Sequence, residues 1–326
     1  MKNNHLKQEK RKIAWDWFPI TAAAAVFCCV LWGSASPAIK IAYELFRISA
    51  DDTASRIMLA GARFALAGVM TIVFGSLLSG RLLLPKKESI GKILLLSCFQ
   101  TIGQYYFFFM ALANTSGVRG SIINASGNFF AILFAVAFFR LEKMTLRKAA
   151  GCLVGFSGIL LILGGLEGLT AGGAFTLEGE GAMLMAAFFY AGSGCLIKIF
   201  SRDENPVVLS GYQFLAGGIV LWVIGMLTGG HLVFYSPYCL PNLLYMGFIS
   251  AGAYTLWGIL LQHNPVSRIS ILGFMNPVMG VMLSALFLNE GREAFSLKGI
   301  LALLLVSAGI IILNAEELHK KPRRAK

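Results

Sequence analysis

The chain is almost continuously apolar and states one pattern twice. Leu59 to Gly75 reads LAGARFALAGVMTIVFG and Leu209 to Gly225 reads LSGYQFLAGGIVLWVIG, so Gly61, Phe64, Gly68 and Gly75 return as Gly211, Phe214, Gly218 and Gly225. An internal duplication at membrane hydropathy predicts two structural halves with a site between them.

Residues are 57% hydrophobic and 13% charged with a mean hydropathy of +0.72, outside the range of a soluble globular domain. Apolar runs of about 18 to 25 residues are long enough to cross a bilayer core as helices. Ten are marked, at 20–42, 56–79, 92–113, 118–139, 148–166, 179–200, 208–228, 239–261, 265–288 and 296–314. The expected fold is an all-α membrane protein of ten transmembrane helices. A basic segment (1–19) precedes a first five-helix repeat (20–166), and a second repeat (179–314) precedes a basic tail (315–326).

A net charge of +12 does not point to nucleic acid, because Lys and Arg concentrate in short connections and at the termini. Positive-inside bias accounts for them and places both termini in the cytoplasm of a plasma-membrane protein. The first span is too long, and too far from the start, for a signal peptide. Six scattered cysteines and four scattered histidines have no metal-ligand spacing, so no metal, haem, other cofactor or disulfide is expected.

The other spans repeat in order. Trp32 and Lys40 match Tyr190 and Lys198; Gly103, Tyr105 and Phe108 match Gly252, Tyr254 and Trp257; Arg119 and Ser121 match Arg268 and Ser270; TLRKAAG matches SLKGILA. Each unit holds an odd number of spans, so the second enters the membrane from the opposite side as an inverted repeat. Two inverted copies exchange conformations, which gives alternating access. The alternative is duplication into a larger membrane scaffold or receptor.

Ten spans in two halves, WGSASPAIK in span 1, Arg63-Phe64 in span 2 and a glutamate after spans 4 and 9 (Glu142, Glu290) together resemble the EamA type of the drug/metabolite transporter superfamily. That resemblance covers residues 20 to 314. It implies a small-metabolite carrier, often an exporter, with a central cavity lined by both halves. One departure stands out: the proline usual in mid-span 4 is Asn128 here, whereas its mate Pro277 is retained.

Polar groups inside a span are costly unless paired or wet, so each is a candidate substrate contact. Gln100 and Gln104 are one turn apart in span 3, as cavity amides or as interhelical hydrogen-bonding groups. Ser121, Asn124 and Asn128 form a stripe on span 4, and Asn276 precedes the helix-breaking Pro277 in span 9. Trp32 and Ser36 in span 1, Tyr190 in span 6, and Tyr254 and Trp257 in span 8 are candidate cavity residues, with interfacial belts as the alternative for the aromatics. Arg63 holds a substrate carboxylate, snorkels, or pairs with a carbonyl. Lys40 and Lys198 are read as structural.

No Asp or Glu lies in mid-span, so a buried carboxylate relay is not visible. A nucleophile with its base, or paired carboxylates, is also missing at membrane depth, which argues against an enzyme. The expected function is export of small metabolites such as amino acids or related compounds. Its partners are the substrate and the bilayer, with the chain a monomer or homodimer; uptake and multidrug efflux are the rival directions.

Overall fold

The computed structural model describes residues 15, 17–141, 143–168, 175–264, 269 and 272–318. The basic N-terminal run and tail, Glu142, Arg268 and Ser270 lie outside the described residues. Every regular element among the described residues is helical. Up to residue 168 these are α1 (Phe18–Gly33), α2 (Ala35–Leu45), α3 (Thr53–Ser79), α4 (Ile90–Ser97), α5 (Gln104–Asn114), α6 (Gly117–Asn124), α7 (Ser126–Leu133) and α8 (Leu146–Ile162). From residue 175 on the longer ones are α9 (Ala182–Phe200), α10 (Pro206–Leu227), α11 (Cys239–His263), α12 (Met275–Phe287) and α13 (Leu297–Leu318).

The sequence writes the starts of these helices locally. Asp52 accepts from the Ser55 N–H at 2.9 Å to open α3, and Ser116 from that of Arg119 at 3.0 Å to open α6. Asn205 accepts from Val207 N at 2.8 Å, with Pro206 at the first helical position, where no N–H is needed. Gly80 closes α3 in the left-handed region at φ 63°.

Three breaks sit inside continuous apolar runs. Ser34 separates α1 from α2 because Pro37 cannot donate to the carbonyl of Gly33. Ala125 separates α6 from α7, and a turn at Gly273–Phe274 precedes α12. These last two fall at matching places in the repeat. A proline follows three residues after Phe274; three residues after Ala125, Asn128 turns its amide back onto the Ala125 carbonyl at 3.1 Å. The same interruption is thus supported by a ring in one place and by a hydrogen bond in the other. A π-helical stretch, Cys98–Gly103, joins α4 to α5.

Taken as continuous stretches, eight helices among the described residues are long and apolar enough to cross a membrane, including Phe18–Leu45, Lys87–Asn114 and Gly117–Phe138. The spans expected at 148–166 and 265–288 are represented by α8 (17 residues) and α12 (13 residues). Both are shorter than the roughly 20 residues that span a hydrocarbon core unaided.

Glycine decides how the helices meet. A Cβ on Gly61 would strike Trp222 and Gly218 O, one on Gly68 would strike Leu215 and Gly211 O, and one on Gly225 would strike Met58. Low numbers on α3 therefore meet high numbers on α10, so the two cross antiparallel with backbones nearly touching. Gly151 and Gly155 of α8 meet Leu313 and Gly309 of α13 in the same antiparallel sense. In the α6/α12 pair Gly117 meets Ser284, and Ser121 meets Gly280. The glycine faces seen in the sequence are used within the chain. Around these pairs α1 packs on α11 and α12, while α9 packs on α5, α6 and α7.

One end of the bundle is tied by carboxylates. Glu204, 7% exposed, accepts from the N–H groups of Lys86 at 3.0 Å and Asn205 at 2.9 Å, and Asp203 pairs with Lys92. Burial pushes the Glu204 carboxyl up, but these N–H donors outweigh it and leave the group below its ordinary range. Asp203 is lowered by the hydrogen bond and charge of Lys92. A depressed carboxyl contributes stability above its unfolded pKa and loses it as pH falls through the folded one. The melting temperature of the purified protein is therefore expected to drop as pH falls below about 4. Glu204→Gln should melt lower at neutral pH and show a shallower acid decline; an identical pH profile would contradict this.

Candidate functional site

Where α1 meets α11, the Trp32 ring lies 5.6 Å from Tyr254, edge to face, and 5.0 Å from Trp257. The break after Gly33 places Trp32 at the end of its helical segment, and Ser34 fixes that end by bonding the Leu31 carbonyl and the Tyr245 hydroxyl, both at 2.7 Å. Phe214 of α10 reaches Tyr254 at 5.1 Å, and Phe64 of α3 stands between Phe214 (5.4 Å) and Tyr105 (3.9 Å). Aromatic side chains from five helices thus form one cluster.

A chain of hydrogen bonds runs along it. Thr101 Oγ1 donates to Gln213 Oε1, Gln213 Nε2 to Gln100 Oε1 at 3.1 Å, and Gln100 Nε2 to the Tyr254 hydroxyl at 2.9 Å. Such interhelical bonds contribute about 0.6 kcal/mol each in membrane proteins, enough together to set the positions of three spans. Gln100 therefore links helices as well as lying beside the aromatic cluster. Gln104, 5% exposed, keeps an acceptor oxygen with no partner.

Arg63 does not snorkel. At 1% exposure its Nε donates to the Met246 carbonyl at 3.2 Å and its Nη2 to Ser250 Oγ at 3.5 Å, while Nη1 has no hydrogen-bond partner. Its guanidinium carbon lies 4.9 Å, 5.6 Å and 5.9 Å from the ring centres of Phe64, Tyr105 and Phe109. Cation–π contacts return roughly 0.5–2 kcal/mol. Burying the charge costs several kcal/mol, so the account is not closed by them.

The remaining expected residues divide. Tyr190 makes no ring contact with Trp32 among the described residues, but its phenol lies within electrostatic reach of Tyr105, which in turn reaches Tyr254. Ser36 is buried in α2, and Asn276 is half-buried in the first turn of α12, where its N–H bonds the Gly273 carbonyl. Asn124 leaves its side-chain oxygen unpartnered, whereas Asn128 spends a donor on its own backbone. Pro277 lies in the first turn of a new helix, where its missing N–H breaks no bond.

A second polar group sits about 15 Å from Gln104, ten residues along the same helix. A cleft of about 420 Å³ is lined by Ala113, Asn114, Thr115, Ser116, Arg119, Thr176, Glu180 and Glu293. Arg119 bridges Glu180 (3.3 Å) and Glu293 (2.7 Å). Glu180 is 2% exposed and also accepts from Thr115 Oγ1 and from Thr176 N and Oγ1. Lys40, read as structural, lies 3.7 Å from Glu290. Gln213 and the Arg119 group were not singled out by sequence reasoning. Gln213 had a signal, since it occupies the position of Arg63 in the repeat; charges distant in sequence gave none.

The model of the EamA-like transporter family matches residues 19–164 and 177–315. A probable amino-acid metabolite efflux pump of Salmonella typhimurium is 26% identical over 88% of this chain and 92% of its own length. A WAT1-related chloroplastic protein of Arabidopsis thaliana is 27% identical over 82% of this chain, and the match spans only 64% of that longer protein. A solved crystal structure superposes with a TM-score of 0.63 at 19% identity, covering 92% of this chain and 99% of that one, a likeness of fold.

Proposed function

Because this chain belongs to the EamA-like transporter family, we propose that it carries small metabolites across the plasma membrane by alternating access between two inverted five-helix halves, and that it works as an exporter. The observation that carries this reading is the antiparallel crossing of matched helices, α3 on α10, α6 on α12 and α8 on α13, with the aromatic and amide cluster beside the first crossing. Inverted copies related by an axis in the membrane plane pack in this way. In this reading α8 and α12 complete ten spans. The end bearing Lys86, Lys92 and Arg202 faces the cytoplasm by the positive-inside rule, and the Arg119 cleft faces outward.

In this reading the substrate binds against Trp32, Tyr254 and Trp257, with Gln100, Gln104 and Tyr190 as polar contacts, once these rings part. Amino acids or related compounds suit such a lining, and the name of the bacterial relative supports them. Opening outward requires Arg119 to release Glu180 or Glu293, since those bridges join α6 to two other elements.

Efflux from proteoliposomes loaded with mixed amino acids, nucleosides and polyamines, quantified by mass spectrometry, tests the proposal. One class should leave selectively, and Trp32→Ala should slow it at least about ten-fold, the loss of ~1.4 kcal/mol of interaction. Efflux no faster than from empty liposomes, or untouched by Trp32→Ala in folded protein, would overturn it.

A further inference from the structure

We propose that Arg63 is the carboxylate-recognising residue of the central site, so that the transported molecule carries a carboxylate; this rests on reading the chain as a carrier. Arg63 is closed off from water, and its Nη1 lacks a partner. No described carboxylate forms a salt bridge with it, and its guanidinium is surrounded by the rings of Phe64, Tyr105 and Phe109. A permanent cation with no counter-charge calls for an anion, and the planar fork of guanidinium matches a carboxylate in two parallel hydrogen bonds.

The obvious objection is that Arg63 merely ties α3 to α11. The repeat answers it. Arg63 occupies the same position in its segment as Gln213, and Ser250 the same position as Thr101. Arg63 reaches Ser250 Oγ, and Gln213 receives the hydroxyl of Thr101. The same interhelical tie is thus made once with a neutral amide and once with a cation. Holding the helices together needs no charge, which leaves the charge for another use. In the described arrangement Phe64, Tyr105 and Phe109 cover the guanidinium, so a carboxylate reaches it when α5 draws back from α3. The π-helical stretch Cys98–Gly103, directly before α5, is where that helix can bend.

The experiment compares acids with their neutral-headed analogues on the full chain: leucine against leucinamide, and benzoate against benzamide. Proteoliposome flux is corrected for protein-free vesicles, and thermal shift of the purified protein is measured with the same compounds. Wild type should move the acids at least about ten-fold faster than the amides, and only the acids should raise its melting temperature. Arg63→Gln, which copies the mirror position, should fold and lose both preferences. Arg63→Lys should keep part of them, and Ser250→Ala, which removes the side-chain tie but leaves the charge and its bond to the Met246 carbonyl, should keep them whole.

Amides that move and stabilise as well as acids overturn the inference while leaving the carrier reading intact, as does a preference that survives in Arg63→Gln. Should Arg63→Gln fail to fold, the wild-type comparison and Ser250→Ala still decide. Acid-specific thermal shifts without flux uphold the site and count against transport. No shift from any acid, with or without flux, overturns the site.

Discussion

Gly218→Leu is expected to leave little folded protein. A Cβ at Gly218 would lie 2.7 Å from the Phe64 carbonyl carbon and 2.8 Å from Ala65 Cα, closer than carbon atoms approach, and both are backbone atoms that no rotamer change can move. Helices α3 and α10 would have to part along their length. In a bilayer no water-driven force holds helices together, so close packing carries the association. Overpacking a core costs about 1–3 kcal/mol even where side chains can yield; here at least about 3 kcal/mol is expected. The same separation would pull Phe64 from Phe214, so the aromatic cluster would be broken with the fold. Size-exclusion chromatography should show loss of the monodisperse peak, and residual protein should melt far below wild type. Wild-type melting would mean that the two helices are not held by this crossing.

Glu290→Ala is expected to be the most damaging change of a single charged residue. The carboxylate accepts from the Gly117 N–H at 3.0 Å with one oxygen and from the Val118 N–H at 2.8 Å with the other, and Lys40 lies 3.7 Å away. One side chain thus joins α2, the start of α6 and the segment following α12. A negative charge at a helix N-terminus meets unpaired N–H groups and the positive end of the helix dipole. Charge-assisted bonds of this kind are worth about 1.5–3 kcal/mol, and losing two of them leaves donors unsatisfied, so about 3 kcal/mol is expected. Glu290→Gln keeps one acceptor and should lose roughly half as much. Thermal melting of both variants checks this. Equal melting of Glu290→Ala and wild type would show that Ser116, which accepts from Arg119 N, caps the helix sufficiently alone.

Much of this molecule was legible before folding because its signals are periodic or local. Apolar runs marked the helices, and glycines returning at the same places in two segments marked one pattern written twice. The structure then brings two of these glycines, Gly61 and Gly218, against each other where α3 crosses α10. Less was legible of the site. Trp32 was matched to Tyr190 by alignment, yet its ring rests on Tyr254 and Trp257, because α1 packs against α11. Asn128 looked like a lining residue; its amide is bonded to the carbonyl exposed where α6 ends.

The sequence alone determined that the chain is helical and membrane-embedded, that one segment pattern occurs twice, and that polar groups at membrane depth are few enough to name. Hydropathy, cap chemistry and glycine spacing act within one helix and are therefore readable along one dimension. Which polar groups meet is decided by how helices far apart in the chain cross. The Thr101–Gln213–Gln100–Tyr254 chain, the binding of Arg119 to Glu180 and Glu293, and the unanswered charge of Arg63 exist only after the elements that bear them, far apart in sequence, have packed together. Hydrogen bonds and ion pairs fail beyond a few ångströms, so the tertiary structure, and not residue identity, determines which are made.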